Sequence, residues 1–320
     1  MFGTFRMLLA LLVVITHIGM NPGGFYPGTM AVIGFYVISG YVISYLLLNR
    51  LKKVTIRSFY LERMVRIYPQ FLLHLILAII VIKLFDIESP FAKNPVTVQT
   101  ILLNLSLIPL QAKAFFPSIR EALYVPVSWS LSLEISFYLV APILILRNWM
   151  RTFAIVSFII FLLGALGYLH THTYTYATIL GTLQFFIVGA WLQQKKYRLL
   201  IIWTIAMLIL GCLITLIGSW KPPHIQETFV GALLCLFSLT VLRNFRDGPY
   251  QKFDDFFGNI SYPIFLNHFI FIWIFQAYNI SYTSLVGLGS LIALIIMSAM
   301  LTYLTIERPI ANYRRSLRIC

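Results

Sequence analysis

Of the 320 residues, 60% are hydrophobic and only 11% are charged, with a mean hydropathy of +0.87. Soluble domains carry about 25% charged residues, so this composition excludes a soluble enzyme and requires an integral membrane protein. The net charge of +14 would suit nucleic acid, but the cations sit in short connections between apolar runs, which is topology-setting charge, so nucleic acid is not an expected partner.

About ten apolar segments, near 3–20, 29–49, 69–86, 127–147, 152–169, 175–194, 199–219, 225–243, 259–278 and 285–306, predict an all-α polytopic bundle. They form one integral-membrane domain over 1–320, with a basic connection at 50–68 and a long outer connection at 87–126. If the N-terminus is cytoplasmic, one side receives Arg50, Lys52, Lys53, Arg57, Arg63 and Arg66. The connections further on add Arg147, Arg151, Lys195, Lys196, Arg198, Arg243, Arg246 and Lys252, and the tail adds Arg308, Arg314, Arg315 and Arg318. The other side receives Lys93, Lys113, Arg120 and Lys221. This skew predicts cytoplasmic termini.

The first segment, Phe5–His17, is an apolar run bracketed by Arg6 and His17. Eleven residues separate them, about 1100° of helical rotation, so on a helix they share a face, roughly 16 Å apart along the axis. Ionisable groups at such depth face a cavity or a partner, because their insertion costs at least about 2.5 kcal/mol each. The flank His17–Pro22 has no small-x-small cleavage site, so the segment is read as a retained span.

In the second segment the Ser39–Gly40 pair, within Phe35–Ile43, predicts a notch where another backbone approaches closely. Next comes Ser58–Pro69, where Arg63 and Arg66 stand at i, i+3 on one helical face. Guanidinium pairs suit phosphates, although ordinary positive-inside charge or contact with anionic lipid accounts equally well for them. The connection 87–126 holds Pro90, Pro95, Pro109, Pro117 and Pro126 around an apolar patch, Ile101–Leu110, too short to span. Its length makes it a candidate lid or acceptor-recognition element.

The fourth segment opens Ser128-Trp129-Ser130-Leu131-Ser132-Leu133-Glu134. Glu134 falls about two turns in from the outer side, near the expected depth of His17. Two readings stand: Glu134 holds one ring nitrogen of His17 and leaves the other as a base, or it neutralises Arg6 or another buried cation. The ninth segment runs Gly258–His268 and includes Tyr262; there His268 reads as an interhelical hydrogen-bonding residue. The tenth ends Glu307-Arg308-Pro309. Three cysteines, Cys212 and Cys235 in apolar runs and Cys320 at the end, make neither a disulfide framework nor a prenylation box. No Walker loop, nucleophile elbow, H-E-x-x-H or Cys/His metal spacing occurs, and no metal is expected.

Taken together, Arg6 with ten residues before His17, FYVISGYVIS, SFYLERMVRIYP, WSLSLEISFYL, GNISYPIFLNH and IERP resemble the acyltransferase-3 family of membrane O-acyltransferases. The pieces run in order from residue 5 to residue 309, and the chain resembles the family's stand-alone form, without an SGNH-type domain. The resemblance implies a bacterial inner-membrane enzyme with an acyl-CoA donor, commonly acetyl-CoA, and a carbohydrate hydroxyl as acceptor. It implies that His17 and Arg6 matter for activity; the residues themselves suggest His17 as general base, or briefly as acyl carrier, with Glu134 as its orienter. With such a donor, its phosphates and arm are expected at Arg6, Arg63, Arg66 and Tyr68, and Ser39, Trp129, Ser130, Tyr262 and His268 are left for the acceptor side or the cavity wall. Glu62 stands where the family often has another basic residue. A transporter or flippase of a lipid-linked sugar is the competing class.

Overall fold

The computed structural model describes residues 2–50, 55–216, 224–245 and 250–316. Lys52, Lys53, Lys221, Arg246, Arg318 and Cys320 lie outside the described residues. The described chain is helical, and seven of its helices are long and apolar enough to cross a membrane; three shorter apolar helices accompany them.

In chain order the helices are α1 (Phe2–His17), α2 (Pro27–Arg50), α3 (Ile56–Leu84), α4 (Val98–Ser106), α5 (Pro117–Arg120), α6 (Ser128–Leu146) and α7 (Met150–Ala165). They continue as α8 (Ile179–Gln193), α9 (Tyr197–Leu216), α10 (Ile225–Leu242), α11 (Gln251–Ala277), α12 (Leu285–Thr302) and α13 (Arg308–Ser316). The third expected segment, placed at 69–86, begins instead at Ile56, and its helix carries the basic stretch that hydropathy reads as a connection. A helix can leave the hydrocarbon layer without ending, because its hydrogen bonds are internal.

Two compact units divide the chain. The first holds Met1–Met20, Tyr60–Leu131 and the residues from Gly248 on. Its most extensive helix pair is α1 with α11. Gly3 makes their crossing close: a Cβ there would stand 1.7 Å from the Asp254 carbonyl oxygen and 2.8 Å from the Gly258 nitrogen. Asp254 then caps α1 from the neighbouring helix. Its carboxylate accepts from the Gly3 N–H at 3.0 Å, the Thr4 N–H at 2.8 Å and the Thr4 hydroxyl at 2.9 Å. These are orphan donors of a helix start, and their satisfaction fixes the axial register of α1. On the other flank of α11, Asn267 donates to the Ile295 carbonyl at 2.9 Å, and Gln70 of α3 donates to the Thr302 carbonyl at 2.9 Å.

The long connection of this unit is built, not slack. Thr97 and Thr100 cap α4 reciprocally. Asn104 donates to the Ala122 carbonyl at 2.7 Å, Asn94 to the Ser118 carbonyl at 2.8 Å, and the Tyr124 hydroxyl to Thr100 at 2.7 Å. The Phe91 ring meets Phe269 of α11 edge-on, with centroids 5.9 Å apart.

The second unit holds Asn21–Phe59 and Ser132–Asp247. Here α2 and α8 pack antiparallel through two glycines. A Cβ at Gly40 would lie 1.8 Å from the Phe186 carbonyl oxygen, and one at Gly189 would lie 1.9 Å from that of Val37. The notch expected at Ser39–Gly40 is therefore present, and Phe186 fills its flank by stacking on Tyr36 (4.6 Å) and Phe137 (4.5 Å). Helix α9 buries only the stripe Leu200, Trp203, Met207, Leu210 and Ile214. Its opposite face exposes apolar side chains such as Ile201, Ile205, Leu208 and Leu213, which water would penalise and lipid accepts.

Candidate active site

The site in the first unit starts from the α1–α11 register. Gly3 and Asp254 are 251 residues apart in the chain, and so are His17 and His268. Two parallel helices anchored at their starts therefore deliver both imidazoles to the same level, about 21 Å along the axes. His17 Nδ1 lies 2.9 Å from His268 Nε2, with the rings 8° from parallel and their centroids 5.0 Å apart. His268 Nδ1 faces the Ile264 carbonyl oxygen at 3.3 Å.

This chain of contacts assigns protons. A carbonyl only accepts, so His268 Nδ1 carries the hydrogen and His268 Nε2 is the acceptor. His17 Nδ1 must then be the donor, and His17 Nε2 is left with its lone pair outward. His268 is wholly buried, at 0% exposure, whereas His17 is exposed at the end of α1. One ring is thus a buried orienter and the other an accessible base or nucleophile. The Phe269 ring packs against both imidazoles, its centroid 4.7 Å from that of His17 and 4.9 Å from that of His268.

Lys113 joins them from the long connection. Its Nζ stands 3.8 Å above the Trp129 ring, and it acts electrostatically on His17. Lys113 lies outside the spanning helices; burial, with the charge of Arg120 adding to it, draws its amine down from the usual lysine range to about 7. A cation that acts on an exposed imidazole can help to stabilise an oxyanion formed there.

The remaining expected residues are placed as follows. Arg63 is buried, at 4% exposure, and donates to Glu62 at 3.2 Å, while Arg66 and Tyr68 are half-buried further along α3. Arg6 is half-buried on α1. The Tyr262 hydroxyl donates to the Ile67 carbonyl at 3.1 Å, joining α11 to α3, and the Ser130 hydroxyl donates to the Val127 carbonyl just before its own helix, 2.9 Å away. In the second unit Glu134 Oε1 accepts from Ser39 at 3.0 Å and from the Tyr138 hydroxyl. The partner of His17 Nδ1 is thus His268, and Glu134 is engaged by hydroxyls of its own unit.

Two groups went unread in the sequence. Lys113 looked like any other cation of a connection, and only its position over Trp129 singles it out. The other is a polar cluster in the second unit, where Glu227 accepts from the Tyr26 N–H at 2.9 Å. Beside it His224 meets Thr29 at 3.2 Å and the rings of Tyr26, His172 and Tyr176. The backbone at His224 is left-handed, with φ at 86°, a conformation that local contacts must hold in place. Among the described residues, no group of three or more His, Cys, Asp or Glu side chains is arranged to hold a metal ion.

Comparison with known proteins adds two findings. A family model described as an acyltransferase domain matches residues 3–306. An uncharacterised protein of Aquifex aeolicus (strain VF5) is 32% identical over 193 residues, which is 57% of this chain and 84% of the relative. No solved structure matches the chain.

Proposed function

Because the chain belongs to the acyltransferase-3 family, we propose that it transfers an acyl group, acetyl in the first instance, from acyl-CoA to a hydroxyl of a cell-surface or exported carbohydrate. The observation that carries this reading is the Ile264–His268–His17 relay, which leaves His17 Nε2 accessible with a free lone pair. An acyl transfer to a hydroxyl needs such a base.

In the proposed reaction the acceptor hydroxyl gives its proton to His17 Nε2 while its oxygen attacks the thioester carbonyl. The carbonyl oxygen becomes an oxyanion, and the Lys113 ammonium offsets its charge. Collapse of the tetrahedral centre expels the CoA sulfur, which recovers the proton from His17 and leaves as thiol. His268 holds the imidazole in the required tautomer and shares the positive charge that develops, the part an orienting group plays in a catalytic triad. Trp129 offers its ring to the acceptor sugar. Arg66, with Tyr68, Arg63 and Arg6, is assigned to the donor phosphates and arm on the cation-rich side, which in this reading is the cytoplasmic face of a bacterial plasma membrane.

The experiment is label transfer from acetyl-CoA by purified protein in lipid, with a crude envelope polysaccharide fraction as acceptor. Label in base-labile carbohydrate esters, lost in His17→Ala, is the expected result. A protein that binds the glycan yet turns over no thioester with any acyl-CoA would be a transporter of lipid-linked sugar instead.

A further inference from the structure

A cavity of about 660 Å³ opens in the second unit at the cation-rich ends of α7, α8 and α9. Arg151, Lys195, Lys196 and Arg198 line it, and no carboxylate does. The cations crowd one another: burial and the charge of Arg151 together pull the Lys196 amine below its usual range. The hydrogen bond of Lys196 goes to the neutral Asn148 side chain, at 3.0 Å.

The cavity continues into an apolar groove of about 430 Å³ between α7 and α9, lined by Ile155, Phe158, Ile202 and Ala206. Arg151, Trp191, Arg198 and Leu199 border both spaces. Trp191 is 4% exposed, and its indole Nε1–H has no hydrogen-bond partner among the described residues. Indole nitrogen can only donate, and a buried donor left unmet is costly, so this one calls for an acceptor oxygen where the charged cavity meets the greasy groove.

We propose that this paired cavity and groove binds one anionic phospholipid, its phosphate among the four cations and its acyl chains along the groove. Nothing in this site takes part in the reaction proposed above, and the inference stands without it. Charge complementarity selects an anion for the head. The groove selects a lipid over a free phosphate, because its outer rim is side chains such as Ile155 and Ile202, 55% and 56% exposed, on helix faces that only hydrocarbon can cover. The ester oxygens of a glycerolipid lie between head and chains, at the level of Trp191. Basic pockets between helices on the cation-rich side of a membrane protein are where anionic head groups collect.

The test is native mass spectrometry of delipidated protein titrated separately with phosphatidylglycerol and phosphatidylcholine of the same chains. One phosphatidylglycerol is expected to be retained in preference to phosphatidylcholine. The double variant Arg151→Gln/Arg198→Gln is expected to lower that preference roughly 30-fold, since each cation facing an anionic lipid contributes about five-fold. Trp191→Phe, which keeps an aromatic ring but removes the N–H, is expected to weaken retention of both lipids. Equal retention of the two lipids by the wild type would overturn the proposal, as would an unchanged preference in the double variant. Displacement of phosphatidylglycerol by coenzyme A at equal concentration would also overturn it, by assigning the cations to a soluble phosphate carrier.

Discussion

His17 Nδ1 lies 2.9 Å from Nε2 of His268, a residue 251 positions away. The pair depends on an anchor about four helical turns distant, where Asp254 caps the start of α1 at the same offset. A slip of one residue between α1 and α11 would turn His17 by about 100° and break the relay, so the cap at one end of the helix pair sets the tautomer at the other.

His268 should therefore act through kcat. His268→Ala is expected to lower transfer roughly 10- to 100-fold with the KM for acyl-CoA unchanged, as loss of an outer-shell partner does for other histidines. His268→Gln keeps an acceptor for the His17 N–H and should recover part of the loss. Steady-state kinetics on both variants checks this, and equal losses would reduce His268 to a packing residue.

Much of this is legible in the sequence. The shared face of Arg6 and His17 follows from their spacing, the Gly40 notch from a small residue among aromatics, and the membrane class from composition. The identity of the His17 partner was not legible. It depends on which helix packs on α1, and that choice is made by Gly3 and Asp254, ordinary residues in isolation. Depth alone matches Glu134 with His17, and the sequence does not show that its carboxylate accepts from Ser39 and Tyr138. Hydropathy likewise placed the start of the third segment at 69, because charge and helix end are confused wherever a helix emerges from the apolar layer.

Lys113 gives the reaction a pH signature. Its amine titrates near 7 in the folded protein, against 10.5 for an ordinary lysine. Above about 7 the ammonium is lost, and with it the charge that offsets the oxyanion, so transfer should decline on the alkaline side. The stability effect has the opposite sign. Between about 7 and 10.5 the unfolded chain binds the proton that the folded one has shed, so this lysine favours folding more as pH rises through that window. Lys113→Arg stays charged and should flatten the alkaline fall, while Lys113→Met should be slow at every pH. A wild-type rate profile that Lys113→Arg leaves unaltered would remove Lys113 from the reaction.

Arg66 is the cleaner probe of donor binding than Arg63. Arg63 is buried against Glu62, so reversing its charge would set two carboxylates together and test stability instead. Arg66→Gln is expected to raise the KM for acyl-CoA about tenfold while kcat holds, the cost of one charge-assisted bond to phosphate. Titration of the variant with coenzyme A alone gives the same comparison without turnover. Unchanged affinity would place the phosphates elsewhere.

Gly40 tests the second unit. Gly40→Ala would put a methyl group 1.8 Å from the Phe186 carbonyl oxygen, and no side chain is there to rotate away. The α2–α8 contact must then open, at a cost on the order of 1–3 kcal/mol. Gly289 in α12 is the matched control, since a Cβ there meets nothing within 4 Å; Gly289→Ala should be neutral or slightly stabilising through helix propensity alone. Thermal unfolding of the two variants in lipid separates them. A Gly40→Ala protein as stable as Gly289→Ala would mean that α2 and α8 are not held backbone to backbone.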